Sequence, residues 1–142
     1  AALTVSMAQR LIRKLCNNCK KQKKADPEEE KEIRNILMRD VAVKKDLTYY
    51  GVKPDQEIIV WEPVGCEVCN FIGYKGRIGV FEVILTNEDI EKAIPQNPSE
   101  REIKVLADKQ GILDMKEDGV VKILKGITSL EEVKGVVDFY ED

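Results

Sequence analysis

The spacing of apolar residues divides the chain into helical, extended and again helical stretches. Residues 1–15 read as a mildly apolar helix that ends in Leu11-Ile12-Arg13-Lys14-Leu15. Asp26-Pro27-Glu28-Glu29-Glu30 is a helix start, with a capping Asp, Pro in the first turn and acids at the positive end of the dipole. Ile33, Ile36 and Leu37 follow at i, i+3, i+4, so a helix is expected over about 27–40. Tyr49-Tyr50-Gly51-Val52-Lys53-Pro54 reads as a loop. Residues 57–64, rich in β-branched side chains and carrying Trp61, read as a strand. The clearest strand is 77–85, RIGVFEVIL, entered through the turn Gly73-Tyr74-Lys75-Gly76.

Beyond Leu85 the period becomes helical. Thr86 and Asp89 mark one start, with Ile90, Ala93 and Ile94 as its stripe and Pro98 closing the region. Ser99 and Glu102 form a capping box ahead of Ile103, Leu106 and Ala107, with Gly111 as the stop. A third helix is expected from about 114 to 125, ended by Gly126. A fourth starts at Thr128 or Ser129 and carries Leu130, Val133, Val136 and Val137. Helices of roughly 8–12 residues are too short to stand alone and must bury their stripes against each other or the strands.

The 142 residues suffice for one ordinary domain or two small ones. The longest apolar run, Ile58-Ile59-Val60-Trp61, is far short of the roughly 18 residues that cross a bilayer. No basic-apolar leader of the secretory kind opens the chain, and Ala1-Ala2-Leu3, without cap or turn, is expected of a piece of a larger protein. Histidine is absent, which excludes Ser-His-Asp and Cys-His catalysis and every imidazole-ligated metal. The net charge of −3 hides an asymmetry: residues 1–24 hold seven Lys/Arg and no acid, leaving 16 basic against 26 acidic residues in the rest. Such segregation can mark a nucleic-acid or membrane patch, or a local need inside the fold.

The cysteines suggest that need. All four fall in two Cys-x-x-Cys units, Cys16-Asn17-Asn18-Cys19 and Cys66-Glu67-Val68-Cys69, separated by 46 residues. Each unit brings two sulfurs to one tight turn, and two such knuckles make a tetrahedral four-cysteine site for which zinc is the default ion. Asn17-Asn18 tolerates the turn, and Gly65 precedes the second pair. Four thiolates on Zn²⁺ carry about −2, which Arg13, Lys14, Lys20, Lys21, Lys23 and Lys24 are placed to offset. A redox dithiol, paired disulfides and an iron–sulfur cluster compete; each lacks its usual context here. A closed thiolate site stabilises and orients but does not catalyse, and this one would tie 16–19 to 66–69 and make the segment between them an independent module.

The stretch from Ala8 to Cys19, then Gly65-Cys66-x-x-Cys69, then Gly73-Tyr74-Lys75-Gly76-Arg77-Ile78-Gly79-Val80-Phe81-Glu82-Val83, resembles the C-terminal part of the type II secretion and type IV pilus assembly ATPases, the GspE/PilB type. The tail from Gly111 through Met115, Asp118-Gly119, Lys122 and Gly126 to Val133 resembles it too, while 20–64 matches no motif of that family. The resemblance implies a part of a cytoplasmic homohexameric motor, peripheral to the inner membrane and coupled to inner-membrane platform proteins of the apparatus. It implies an α+β fold: a small antiparallel β/zinc-knuckle module (16–75) inserted at the edge of a RecA-like sheet (1–15 and 76–85), followed by a helical C-terminal region (86–142). Cys16, Cys19, Cys66 and Cys69 match the family's metal ligands. Arg10, Arg13 and Arg77 fall where motor core meets module, either as surface charges or as contacts to a neighbouring subunit or nucleotide phosphates. ATP and Mg²⁺ belong to the parent protein, whose phosphate-binding loop would lie upstream. No Gly-Lys pair occurs in these 142 residues, so no catalytic residue is expected and the role is structural or coupling.

Several residues carry narrower expectations. Phe81 is expected in the core, Trp61 as a half-buried strand aromatic, and Glu131-Glu132 as a helix-start pair. The rival functional reading is a zinc-ribbon nucleic-acid-binding module using the basic residues 10–24 with Tyr49, Tyr50 and Tyr74. The acidic balance argues against nucleic acid.

Overall fold

The computed structural model describes residues 3–39, 45, 47–53 and 55–140. Residue 40, at the far end of the helix predicted over about 27–40, Pro54 of the predicted loop, and Ala1-Ala2 lie outside them. The chain folds as two nested antiparallel ribbons with helices packed against them. Strand β1 (Val5–Leu15) pairs with β4 (Tyr74–Leu85), and β2 (Lys21–Lys24) pairs with β3 (Ile59–Glu62). In the outer ribbon Val5 lies opposite Leu85, Arg13 opposite Arg77 and, past an irregularity, Leu15 opposite Tyr74. In the inner ribbon Lys21 faces Glu62 and Lys24 faces Ile59. The links between the ribbons, 16–20 and 63–73, are therefore held opposite one another by both registers.

The predicted helix at 1–15 is overturned: Val5–Leu15 form β1. The strand β4 has a full row of backbone donors and acceptors to satisfy, and pairing along it outweighs the weak local helical pattern. Phe81 is also a correction. It is 39% exposed, because it sits on the face of β4 opposite that of Val80, which is fully buried. Trp61 is half-buried on β3, as expected.

Helix α1 (Pro27–Leu37) begins at Asp26, whose carboxylate accepts from the N–H groups of Glu28 and Glu29 while Glu29 reaches back to the Asp26 N–H. It buries Glu32, Ile33 and Ile36. After a 3-10 turn at Leu47–Tyr50, the helices following β4 are α2 (Glu88–Ala93), α3 (Glu100–Asp108), α4 (Met115–Leu124) and α5 (Leu130–Lys134). Asn87 caps α2 rather than Thr86; Ser99, Asp114 and Ser129 cap the others. Helices α2 and α5, at six and five residues, are shorter than the pattern suggests.

One core joins the ribbons to the helices. Ile12 of β1, Ala25, Ile33 and Ile36 of α1, Ile58, Val60 of β3 and Val80 of β4 pack with Val120 and Ile123 of α4, and with Leu130, Val133 and Val137. The segment between the cysteine pairs is thus not independent: its apolar side chains share this core with α4 and α5. A short two-stranded ribbon with one helix cannot bury enough surface alone. A second cluster gathers Leu47, Val52, Leu113 and Val121 on the other side of α4.

Candidate metal centre

The two Cys-x-x-Cys turns occupy the links between ribbons. Cys16 follows β1 directly, and Cys66–Cys69 forms a short 3-10 turn between β3 and β4. The nested registers bring these turns face to face. All four Sγ atoms lie within 4.8 Å of one another. Cys16 to Cys66 and Cys19 to Cys69 are each 3.9 Å, and Cys66 to Cys69 is 3.8 Å. Disulfides need about 2.05 Å between sulfurs, so these are free thiols grouped as a set. Cys16 and Cys69 are buried, and Cys19 and Cys66 are partly covered. Four clustered cysteines of this kind can hold a metal ion.

Local backbone shapes the corner. The Cys16 carbonyl accepts from the N–H groups of Cys19 and Lys20, and the Cys66 carbonyl from those of Cys69 and Phe71. The Cys16 N–H donates to the Gly73 carbonyl at 2.9 Å, stitching one knuckle to the other. Peptide N–H groups then aim at sulfur: Gly65 at Cys19 Sγ (3.3 Å), and Cys66 and Gly73 at Cys69 Sγ (3.2 Å each). The Asn18 side-chain amide donates to Cys66 Sγ at 3.2 Å. Gly73 is required by space as well as by its φ of +85°: a Cβ there would fall 2.5 Å from Pro63 Cβ.

These donors set the protonation balance. Burial acts to raise the Cys69 thiol, but the N–H groups of Cys66 and Gly73 outweigh it and bring it down to about 6. The Asn18 amide lowers Cys66 below the ordinary thiol value. Burial pushes Cys19 up to about 11, against the single N–H from Gly65. The corner thus favours thiolate, the form that binds metal, on one knuckle before any cation arrives.

Four of the six cations expected to offset the thiolates, Arg13, Lys20, Lys23 and Lys24, have partners of their own. Lys23 pairs with Glu29 and Glu62, and Lys24 with Glu57. The Lys20 ammonium lies 4.8 Å from the Trp61 ring and donates to the Gly126 carbonyl at 2.8 Å. Among the described residues, the nitrogen donors to the sulfurs are the Asn18 amide and backbone N–H groups. Asn18 and the Gly65 and Gly73 amides were not singled out as donors from sequence, although the glycines flanking the second pair were the available signal.

The three arginines separate. Arg13 binds Glu132 through Nε at 2.9 Å and lies 4.2 Å over the Tyr74 ring. Tyr74 in turn bonds the Ser129 hydroxyl at 2.7 Å, so this stack docks α5 on the corner, and Glu132 has a partner beyond its helix. Arg10 and Arg77 are exposed on the outer ribbon. The strand end is locked by the Leu15 N–H to the Ile127 carbonyl (2.9 Å) and by buried Thr128, whose hydroxyl donates to the Arg13 carbonyl at 2.8 Å.

The fold and site together define a mixed α/β chain of short antiparallel ribbons and helices with four converging cysteines that could hold a metal ion. The particular family is identified by comparison. The family model "Type II/IV secretion system protein" matches residues 1–135, and the chain belongs to that family. It is 36% identical over 133 residues to the type IV pilus assembly ATPase PilB of Thermus thermophilus, covering 94% of this chain and 13% of that protein. It is likewise 36% identical over 133 residues to the type II secretion system protein E of Aeromonas hydrophila, covering 94% of this chain and 23% of that protein. With the type IV pilus assembly ATPase TfpB of Acinetobacter baylyi the identity is 36% over 137 residues, covering 96% and 21%. The chain therefore spans less than a quarter of the length of these relatives. Among the described residues no helix is long and apolar enough to cross a membrane.

Proposed function

We propose that this chain is the zinc-binding part of a motor ATPase that powers type II secretion or type IV pilus assembly, and that its role is to stiffen and transmit rather than to react. The convergence of four sulfurs within 4.8 Å carries the reading. Zinc fits the donor set. With Zn–S near 2.3 Å, a regular tetrahedron has sulfur–sulfur edges of about 3.8 Å. The three sulfur pairs at 3.8–3.9 Å match that edge. Cys16, Cys19, Cys66 and Cys69 would hold the ion, which supplies folding free energy and no open coordination position.

In this reading 1–15 and 76–85 belong to the edge of a RecA-like ATPase domain, 16–75 is the metal module and 86–142 the helical part. ATP and Mg²⁺ bind elsewhere in the parent hexamer. Arg10 and Arg77 are the arginines free to meet a neighbouring subunit or nucleotide phosphates, since Arg13 is held by Glu132 and Tyr74. Because the knuckles lie between the ribbons and the ribbons share a core with α4 and α5, motion imposed on the outer ribbon would move the whole unit toward an inner-membrane platform protein. The nucleic-acid reading is disfavoured by the pairing of Lys23 and Lys24 with carboxylates.

Elemental analysis of protein purified without added metal tests the assignment. One zinc per chain, lost in Cys66→Ser, is the expected result; a metal-free chain with a stable fold would overturn it.

A further inference from the structure

The second knuckle displays apolar side chains that its fold has no use for. Val64 is 61% exposed, Val68 50%, Phe71 72% and Ile72 58%. They are neighbours: a Cβ on Gly65 would meet the Phe71 carbonyl oxygen at 2.9 Å, and one on Gly73 would meet Pro63 and the Val64 nitrogen. The loop 64–73 is thus a closed knob whose ends touch. It cannot turn these side chains inward. The Phe71 N–H is held by the Cys66 carbonyl and the Ile72 N–H by the Cys69 carbonyl, at 2.8 and 3.2 Å. Asn70 and Phe71 sit at φ +53° and +61°, a conformation that a large aromatic seldom adopts without a purpose.

Charge around the knob is sorted. Arg13, Lys20, Lys23 and Lys24 are engaged with carboxylates, an aromatic ring or a carbonyl. Lys75 and Arg77, which follow the knob on β4, and Lys14, whose side chain lies beside Gly76, are exposed, and among the described residues none of them forms an ion pair. Glu67, exposed at the start of the turn, is the one acid within the loop. An apolar convex tip with unpaired cations behind it suits an anionic lipid surface: the tip enters the boundary between headgroups and acyl chains while the cations meet phosphates.

We propose that the knob Val64, Val68, Phe71 and Ile72, with Lys14, Lys75 and Arg77, is a membrane-surface contact for anionic phospholipid. This rests on the metal-held corner proposed above, since the ion fixes the knob, and it assigns to that corner a lipid face.

The test is co-sedimentation of the whole chain, metal content verified, with phosphatidylcholine vesicles with and without about 30% phosphatidylglycerol. Binding to the anionic vesicles alone, weakening as salt rises, is expected. Phe71→Ser with Ile72→Ser should weaken it about tenfold or more, and Lys75→Glu with Arg77→Glu by at least the roughly fivefold that a single cation contributes. Tyr49→Ser, which removes an 85% exposed aromatic outside the knob, should leave binding unchanged. Should the double variant fail to fold, Phe71→Trp reports directly: its emission, taken as a difference from the parent, should shift to the blue on anionic vesicles. Metal-loaded chain that ignores both vesicle types overturns the inference, assigns the knob to a protein surface and leaves the zinc reading intact. Vesicle binding unaffected by both double variants overturns it equally.

Discussion

Two places in this molecule tie distant segments together, and they do so by opposite means. The cysteine corner joins 16–19 to 66–69 with four soft ligands and a shell of peptide N–H groups. The start of α4 instead joins three stretches with a buried charge cluster. Asp114 and Glu117 cap each other's backbone, Arg39 pairs with both, and Lys45 binds Glu117 at 2.6 Å and Asp108 at 3.3 Å. The Lys45 side chain is only 2% exposed and that of Glu117 7%. An ion at the cysteine corner would supply a free energy that pairing inside the protein cannot match. A buried ion cluster must first overcome the desolvation of every member, so its net worth is small although its disruption is costly.

The largest expected effect follows from that contrast. Chelation of the metal, or Cys69→Ser, should remove a contribution on the order of 10 kcal/mol. Because Ile12, Ile33 and Val60 share a core with Val120, Ile123 and Val133, the loss should appear as one cooperative transition in which helical circular dichroism falls with the module. Two separate transitions would show that the corner and the helices are energetically distinct.

Next in size is Lys45→Ala, which leaves Glu117 with a lost partner in a dry site. A loss of about 3 kcal/mol is expected in urea denaturation. Lys45→Met combined with Glu117→Leu should cost clearly less than the single change, because the desolvation penalty disappears with the charges. A double variant as damaging as the single one would mean that the cluster stabilises outright.

The same cluster sets a pH dependence. Asp114 is raised by burial but more strongly lowered by Arg39 and the Glu117 N–H, so its carboxylate ends below the ordinary value. A depressed carboxylate contributes stability that is complete above its unfolded value near 4 and is lost as pH falls through the folded one. Glu117 is raised by burial, outweighing its bond to Lys45, and works in the opposite sense: its contribution is unfavourable above its folded value and relaxes as pH drops through that value toward the unfolded one. Denaturation followed between pH 5 and 2 should show a steeper loss in the parent than in Asp114→Asn. The smallest expected change is Arg13→Ala. Its ion pair with Glu132 is half exposed, so a loss of about 0.5–1 kcal/mol is expected by thermal melting.

The two sites also differ in how far the sequence disclosed them. The cysteine spacing singles out the four residues that converge, because only a few chemistries place two sulfurs on one turn twice. Helix starts at Asp26, Ser99 and Ser129 are equally legible, since capping is decided within four residues. The charge cluster is not: Asp114-x-x-Glu117 can be read as a cap, but nothing local announces that Arg39 and Lys45 will be buried against it. Strand β1 is illegible for the same reason, since its partners lie 59 to 80 residues further along the chain (Leu15 to Tyr74, Val5 to Leu85). Phe81 went astray because alternation gives two faces of a strand and does not say which is covered.

By itself, then, the sequence determined the four paired cysteines, most helix boundaries and the family, because each rests on residue identity at short spacing. Only the tertiary structure decided that the knuckles meet, that backbone amides and Asn18 donate to the sulfurs, and that the ribbons flanking the cysteines share one core with the helices. Those outcomes depend on which strands pair and in what register. Pairing is fixed by the burial of the whole chain at once, which no local pattern encodes.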